Sequence, residues 1–175
     1  MVLKNVKVLI LLAGIAGAIY FLFLESDEDY LKKTTLKMID LLVSPLDSSN
    51  MSSVIGRVRQ VTEPMHFSIK FEVFQNEQVL FKRESSASMR SMIGAYFGAK
   101  EKLTLHSVKE ENLTAQVLKE SSEMKTGQVF FLITGQAKGS SVSCQVKMDW
   151  RYEKKNWRIY HIKAFDCQGA IYLPY

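Results

Sequence analysis

Hydrophobic and polar positions divide the chain into three stretches with different periods. From Val8 to Leu24 the sequence VLILLAGIAGAIYFLFL carries no charge at all. Beyond it, Leu31, Met38 and Leu42 recur at helical spacing, and Leu36, Ile39 and Val43 widen the stripe. Ser26 followed by Asp27, Glu28 and Asp29 starts that helix, because a serine caps free backbone donors and acids suit the positive helix end. The pattern predicts a helix over about 27–43, stopped at Ser44-Pro45. Leu46 to Asn50 reads as a loop, and Met51, Val54, Ile55, Val58 and Val61 mark a second, shorter helix that closes before Pro64.

The period then switches to two. Phe67, Ile69, Phe71 and Val73 alternate with His66, Ser68, Lys70 and Glu72, which predicts a half-buried strand. After a turn at Gln75–Gln78, Val79 to Glu84 returns as its hairpin partner. Ser85, Ser86 and Ser88 offer caps for a third helix, whose core face is Met89, Met92, Ile93, Tyr96 and Phe97, with Gly98 as its stop. Five further strands are predicted: Leu103–Lys109, Thr114–Glu120, Gln128–Ala137 and the pair Ser143–Glu153 and Trp157–Cys167, the last two joined near Lys154–Asn156. In the first strand of that pair Cys144, Val146, Met148, Trp150 and Tyr152 alternate cleanly with polar residues. The tail from Gln168 to Tyr175 carries Ile171, Tyr172, Leu173 and Tyr175 and is expected to dock on the domain. Three helices on one face of a long, curved antiparallel sheet make an α+β cone.

The apolar run changes the picture of where this domain works. Its 17 uncharged residues lie at the short end of what spans a bilayer. Lys4 and Lys7 precede it, and Glu25, Asp27, Glu28 and Asp29 follow. By the positive-inside rule residues 1–7 are a cytoplasmic leader, 8–24 a transmembrane signal anchor, and 25–175 an exported domain, periplasmic in a Gram-negative cell. Ala16-Gly17-Ala18 offers a rival reading as a signal-peptide cleavage site. Cleavage there would leave Ile19 to Leu24 as a greasy end on the mature protein.

Composition then excludes several classes. Apolar residues make up 47% and charged residues 23%, which fits an ordinary globular domain and not a disordered or collagen-like chain. The net charge of +5 loses its meaning once the anchor is set aside, since 21 basic and 18 acidic residues remain, scattered along the chain. A nucleic-acid partner would want a clustered basic face, and none is present.

Several local features carry a resemblance. They are the helix end Leu41-Leu42-Val43-Ser44-Pro45-Leu46, the His66–Glu84 hairpin ahead of a third helix, and the closing hairpin Met148–Ile162 with its charged turn before Trp157-Arg158-Ile159. Together, over about residues 27–167, they resemble the NTF2-like (SnoaL-like) superfamily. A more distant similarity is to VirB8-like exported domains, which also place such a fold behind one membrane helix. The resemblance implies a conical pocket between sheet and helices. Some family members are isomerases, cyclases or dehydratases acting on small hydrophobic molecules, and others only bind a ligand or a protein.

Candidate chemistry is sparse. The resemblance puts the last strand along the pocket wall, which makes His161 a candidate general acid or base with Asp149 or Asp166 near it. Asp40, between apolar residues of the first helix, is the acid best placed to point inward. Tyr96, Phe97, Trp150, Trp157 and Tyr160 are candidates either to line a ligand cavity or to fill the core. His66, His106 and His161 have no metal-ligand spacing, no phosphate loop or nucleophile elbow occurs, and no metal or cofactor is expected. If Lys155-Asn156 is a two-residue turn, Lys154 faces Trp157 and Cys144 falls opposite Cys167 as a disulfide candidate. A turn one residue different separates them. The exported compartment permits the bond.

These readings converge on a membrane-anchored, non-enzymatic domain that binds a small apolar ligand or a protein partner outside the cytoplasm. An isomerase- or dehydratase-type enzyme and a structural subunit of an envelope or secretion complex are the alternatives. A homodimer through the sheet face is a further expectation.

Overall fold

The computed structural model describes residues 26–98, 103–119, 125–137 and 139–168. The proposed leader and anchor, and the tail beyond Gln168, lie outside the described residues. Among those described, no helix is long and apolar enough to cross a membrane.

Helix α1 spans Asp27–Val43. Ser26 caps it, its Oγ accepting from the Asp29 backbone N–H at 3.1 Å. Helix α2 follows over Met51–Thr62, with the Asn50 side chain accepting from Ser53 N–H. Strands β1 (Met65–Gln75) and β2 (Gln78–Glu84) form a hairpin, and helix α3 covers Ser86–Gly98. Strands β3 (Leu103–Leu105), β4 (Leu113–Lys119), β5 (Lys125–Ala137), β6 (Ser140–Glu153) and β7 (Asn156–Gln168) complete the sheet. The strand predicted over Leu103–Lys109 is thus only three residues long, and a 3₁₀ turn at Glu110–Asn112 leads out of it.

The order across the sheet is β2-β1-β7-β6-β5-β3, with β4 also paired to β5. The sheet is mixed, which corrects the expectation of an antiparallel one, because β1 pairs β7 in parallel. A hairpin read locally is antiparallel by necessity, whereas the β1–β7 contact joins distant segments and leaves no local signature. The three helices pack on one face. Leu31, Met38 and Ile39 of α1, Val61 of α2, and Met89, Ile93 and Phe97 of α3 are buried against Ile69, Val73, Val129, Phe131, Val146, Met148, Trp150, Ile159 and Ile162.

Two contacts tie α1 to the start of β5 and β7. Trp157 Nε1 donates to Asp27 Oδ1 at 3.1 Å, and Lys125 Nζ donates to Asp27 Oδ2 at 2.8 Å. Gly127 leaves the room α1 needs, since a Cβ there would press on Leu31 Cδ1 and the Trp157 ring.

Strand β7 keeps its phase only by two bulges. Near the turn Tyr152 faces Trp157 and Trp150 faces Ile159; one residue further Asp149 faces His161, so Tyr160 is extra. A second shift lies between Gln145↔Phe165 and Ser143↔Gln168, where Asp166 takes a φ of 50°. Burial follows: Trp157 and Ile159, then Ile162 and Ala164, then Cys167 face inward. The turn itself is Lys154-Lys155, with φ of 48° and 66°, and not Lys155-Asn156. That shorter register moves Cys144 away from Cys167, and the two bulges bring them back together. The structure joins them as a disulfide.

This bond closes a loop between residues separated by 23 positions. Its reduction is expected to cost on the order of 3 kcal/mol through restored unfolded-state freedom. Urea denaturation of the chain with and without reductant measures this; coincident midpoints would contradict it.

Candidate functional site

Strict alternation along β7 from Trp157 and Ile159 would turn His161 into the core. The bulge at Tyr160 instead sends it to the sheet face turned away from the helices. There His161 Nε2 lies 2.8 Å from Glu72 Oε2 of β1, and its Nδ1 lies 3.9 Å from Asp149 Oδ2 of β6. A polar row crosses the strands through this point. Gln116 Nε2 donates to Gln128 Oε1 at 3.0 Å, and Gln128 Nε2 donates to Asp149 Oδ1 at 3.0 Å. Lys147 Nζ stands 3.4 Å from Asp149 Oδ1. On the other side Lys82 Nζ stands 4.0 Å from Glu72 Oε1 and 2.9 Å from Glu84 Oε1. Acids and bases alternate along the row and neutralise one another. It fixes the orientation of the imidazole, but it offers no apolar enclosure in which a substrate could be desolvated.

A second cluster lies toward the β6–β7 turn on the same face. The Tyr160 ring stacks on His66 at 4.0 Å between centroids, and the Arg151 guanidinium covers it at 4.6 Å. Burial and the Glu153 carboxylate push the Tyr160 hydroxyl up to about 12. Tyr160 therefore belongs to this outer cluster and not to a pocket between sheet and helices.

The other aromatic candidates lie inside. Trp150 is 0% and Phe97 1% exposed, and Tyr96 and Trp157 are buried with them in one core cluster. The Tyr96 hydroxyl donates to the Leu42 carbonyl at 3.3 Å, and burial raises its pKa. Asp40 is exposed on α1 and does not turn inward. His161 and Asp40 are therefore not brought together. Among the described residues the only buried polar side chains outside the aromatics are Thr35 and Thr62. Thr62 Oγ1 donates to the Val58 carbonyl at 2.9 Å. Thr35 Oγ1 and Trp150 Nε1 are buried without a hydrogen-bond partner. No group of three metal-ligating side chains occurs among the described residues.

One concave feature lies between α2 and α3. A groove of about 610 Å³ is lined by Met51, Val54, Ile55, Val58 and Arg59 on one wall and by Arg90, Gly94 and Gly98 on the other, with Ser48 at one end. Met51 and Ile55 are 67% and 62% exposed, high for a methionine and an isoleucine in the midst of a domain. The sequence pattern marked Met51 and Ile55 as part of the stripe of a second helix and did not show this groove. The signal was present: Gly94 and Gly98 follow Arg90 at i+4 and i+8, leaving α3 without side chains beyond the arginine on that strip. Glu72 as the partner of His161 was also missed, because the β1–β7 pairing had no local signal.

Three solved structures were compared with this geometry. An NTF2-like protein of unknown function from Pseudomonas putida superimposes with a TM-score of 0.53 at 8% identity, over 79% of this chain and 84% of that one. A cystatin-like domain from Nostoc punctiforme gives 0.51 at 13% identity, over 79% and 76%. An NTF2-like protein with a cystatin-like fold from Novosphingobium aromaticivorans gives 0.50 at 12% identity, over 88% of each chain. The chain has the NTF2-like α+β fold. No family model matches its sequence, and no curated protein matches it. Likeness at such low identity carries the fold and no activity.

The raised Tyr160 hydroxyl has a consequence for stability. Between the unfolded value near 10 and the folded value of about 12, the unfolded chain releases this proton and the folded chain retains it. Stability should fall as pH rises through that window and level off above it. Denaturation midpoints of the wild type and Tyr160→Phe at pH 9 and 11 test this: the loss on raising pH is expected to be smaller in the variant. Equal losses would show that Tyr160 is not the group responsible.

Proposed function

We propose that this chain is an exported, membrane-tethered domain that works by binding a small apolar ligand and not by turnover. One observation carries the reading. Among the described residues no carboxyl, imidazole or amine is buried between the sheet and the helices, where the buried polar residues are Thr35 and Thr62. Acid–base chemistry on a hydrophobic molecule needs such a group inside an apolar enclosure, because burial is what tunes its pKa toward neutrality. His161 and Asp40 both lie elsewhere, His161 in a self-neutralising ion row and Asp40 on an exposed helix flank. The tether is supported by the uncharged run 8–24, by the lysines before it and the acids after it.

The test is extraction of the full chain from washed membranes, followed by mass spectrometry of the intact protein and of bound small molecules. A 20.0 kDa chain that resists alkaline extraction and carries an apolar molecule is expected. A shortened chain released into the soluble fraction would overturn the tether. Any turnover lost in His161→Ala but kept in Asp40→Ala would overturn the binding reading.

A second reading is favoured by a separate observation. Leu118 and Leu132, on the face turned away from the helices, are 43% and 50% exposed and flank the polar row. A second copy docking there would bury both. Sedimentation of the wild type and of Leu132→Asp should then show a dimer and a monomer; a monomeric wild type at tens of micromolar would remove this reading.

A further inference from the structure

We infer that the α2–α3 groove is a binding site for a single-chain amphipathic anion, an acyl carboxylate whose chain lies along the groove and whose acid group meets Arg59 and Arg90. The inference rests on the binding reading above and adds a place and a ligand class to it.

The courses of the two helices set the groove's polarity. Helix α2 ends at Glu63-Pro64, whose carbonyls accept from Arg158 Nη1 and from Ile159 N–H, so it descends toward the β6–β7 turn. Helix α3 leaves Ser85, whose N–H donates to the Ile69 carbonyl, and ends ahead of β3, which pairs with the far end of β5. The helices therefore run antiparallel. Along the groove α2 therefore presents Arg59, Ile55 and Met51 in the same order in which α3 presents Arg90, Gly94 and Gly98. The groove thus has a cationic end and an apolar body.

Its walls have the right chemistry for a chain. Met51, Val54, Ile55 and Val58 supply apolar surface, and the opposite wall is bare because Gly94 and Gly98 carry no side chain. A Cβ at either glycine would meet nothing within 4 Å, so the space is open. From Arg90 to Gly98 the trough runs about 12 Å, the span of a medium-length acyl chain. Its volume of about 610 Å³ falls within the usual range for small-ligand pockets.

The charge is uncancelled. Among the described residues no acid lines the groove, and neither Arg59 nor Arg90 makes an ion pair or side-chain hydrogen bond. Several lysines elsewhere are paired with acids: Lys125 with Asp27, Lys147 with Asp149, Lys82 with Glu84. Two guanidiniums at one end of an apolar trough complement a carboxylate, which takes two parallel N–H donors from an arginine. A neutral apolar ligand would leave both without a partner.

The experiment uses the full chain in nanodiscs of zwitterionic lipid, with methyl-labelled methionine, titrated with octanoate and separately with octanol. A saturable shift of the Met51 methyl with octanoate, and a much weaker response to octanol, are expected, while the buried Met148 methyl stays fixed. Arg59→Gln with Arg90→Gln should weaken octanoate at least about tenfold. Gly94→Leu should fill the trough and abolish the shift. Both arginines are exposed, so the double variant keeps the test alive should Gly94→Leu fail to fold. An unresponsive Met51, or equal responses to octanoate and octanol, would overturn the inference. If an apolar molecule that co-purifies with the wild type persists on folded Gly94→Leu, the binding reading stands and the groove assignment falls. If the wild type carries no such molecule and octanoate leaves Met51 unmoved, both fall.

Discussion

The phase of β7 governs both faces of the sheet. This strand lies between β1 and β6, so any slip in its alternation would exchange core and surface residues along its whole length. Its sequence does not alternate strictly: Trp157 and Ile159 are apolar at odd positions, and Ile162 and Ala164 at even ones. The bulge at Tyr160 reconciles the two halves. It buries Ile162 beside Met148 and Ala164 beside Val146, and sends His161 outward between Glu72 and Asp149. The second bulge, at Asp166, returns Cys167 to the inner phase where Cys144 can reach it. The disulfide then holds the end of the strand in the register that the bulges set.

With β7 in phase, the joint at Asp27 closes the cone. One carboxylate accepts from an indole N–H of β7 and from an ammonium of β5, so α1 is held against two strands by a single side chain. Gly127 removes the side chain that would keep Leu31 from the sheet at this point. The acids at the start of α1 thus have a structural task in joining the helix to the sheet. Glu28 repeats the theme, its Oε1 accepting from the Val117 backbone N–H at 3.2 Å. Helix-start chemistry, which favours acids in a first turn, and strand-edge satisfaction are served by the same two residues.

Much of the architecture could be read from period and punctuation alone. The bounds of α1 and α2, the β1–β2 hairpin and α3 follow from helical stripes, serine caps, and the breaks before Pro45 and Pro64. What failed was everything that depended on pairing between distant segments. Parallel pairing of β1 with β7 gave His161 its partner Glu72, and nothing near either residue announces it. The bulges failed for a related reason: a phase change in a pattern such as Trp157, Ile159, Ile162, Ala164 looks like imperfect alternation until a neighbouring strand shows which residue is extra. The cysteine pairing shows how such errors can cancel. The wrong turn and the missed bulges shift the register by the same amount in opposite senses, so the same pair results from a different path. The α2–α3 groove was hidden because a stripe such as Met51, Ile55 and Val58 has the same spacing whether it faces a core or a trough.

The distribution of charge separates the two surfaces on which a function might rest. On the outer sheet face acids and bases alternate within hydrogen-bond or ion-pair reach, and each removes the other's appeal to a charged ligand. Such a row specifies registry between β4, β5, β6, β7 and β1 more than it attracts anything, and at the surface each pair adds little energy. At the helix groove the reverse holds. Met51 and Ile55 there are exposed, and among the described residues Arg59 and Arg90 beside them have no ion pair. Stability alone would favour an acid at that end or a larger residue than glycine at position 94. A surface that is neither buried nor neutralised is where a partner's binding energy is still available, and the groove between α2 and α3 is one such surface.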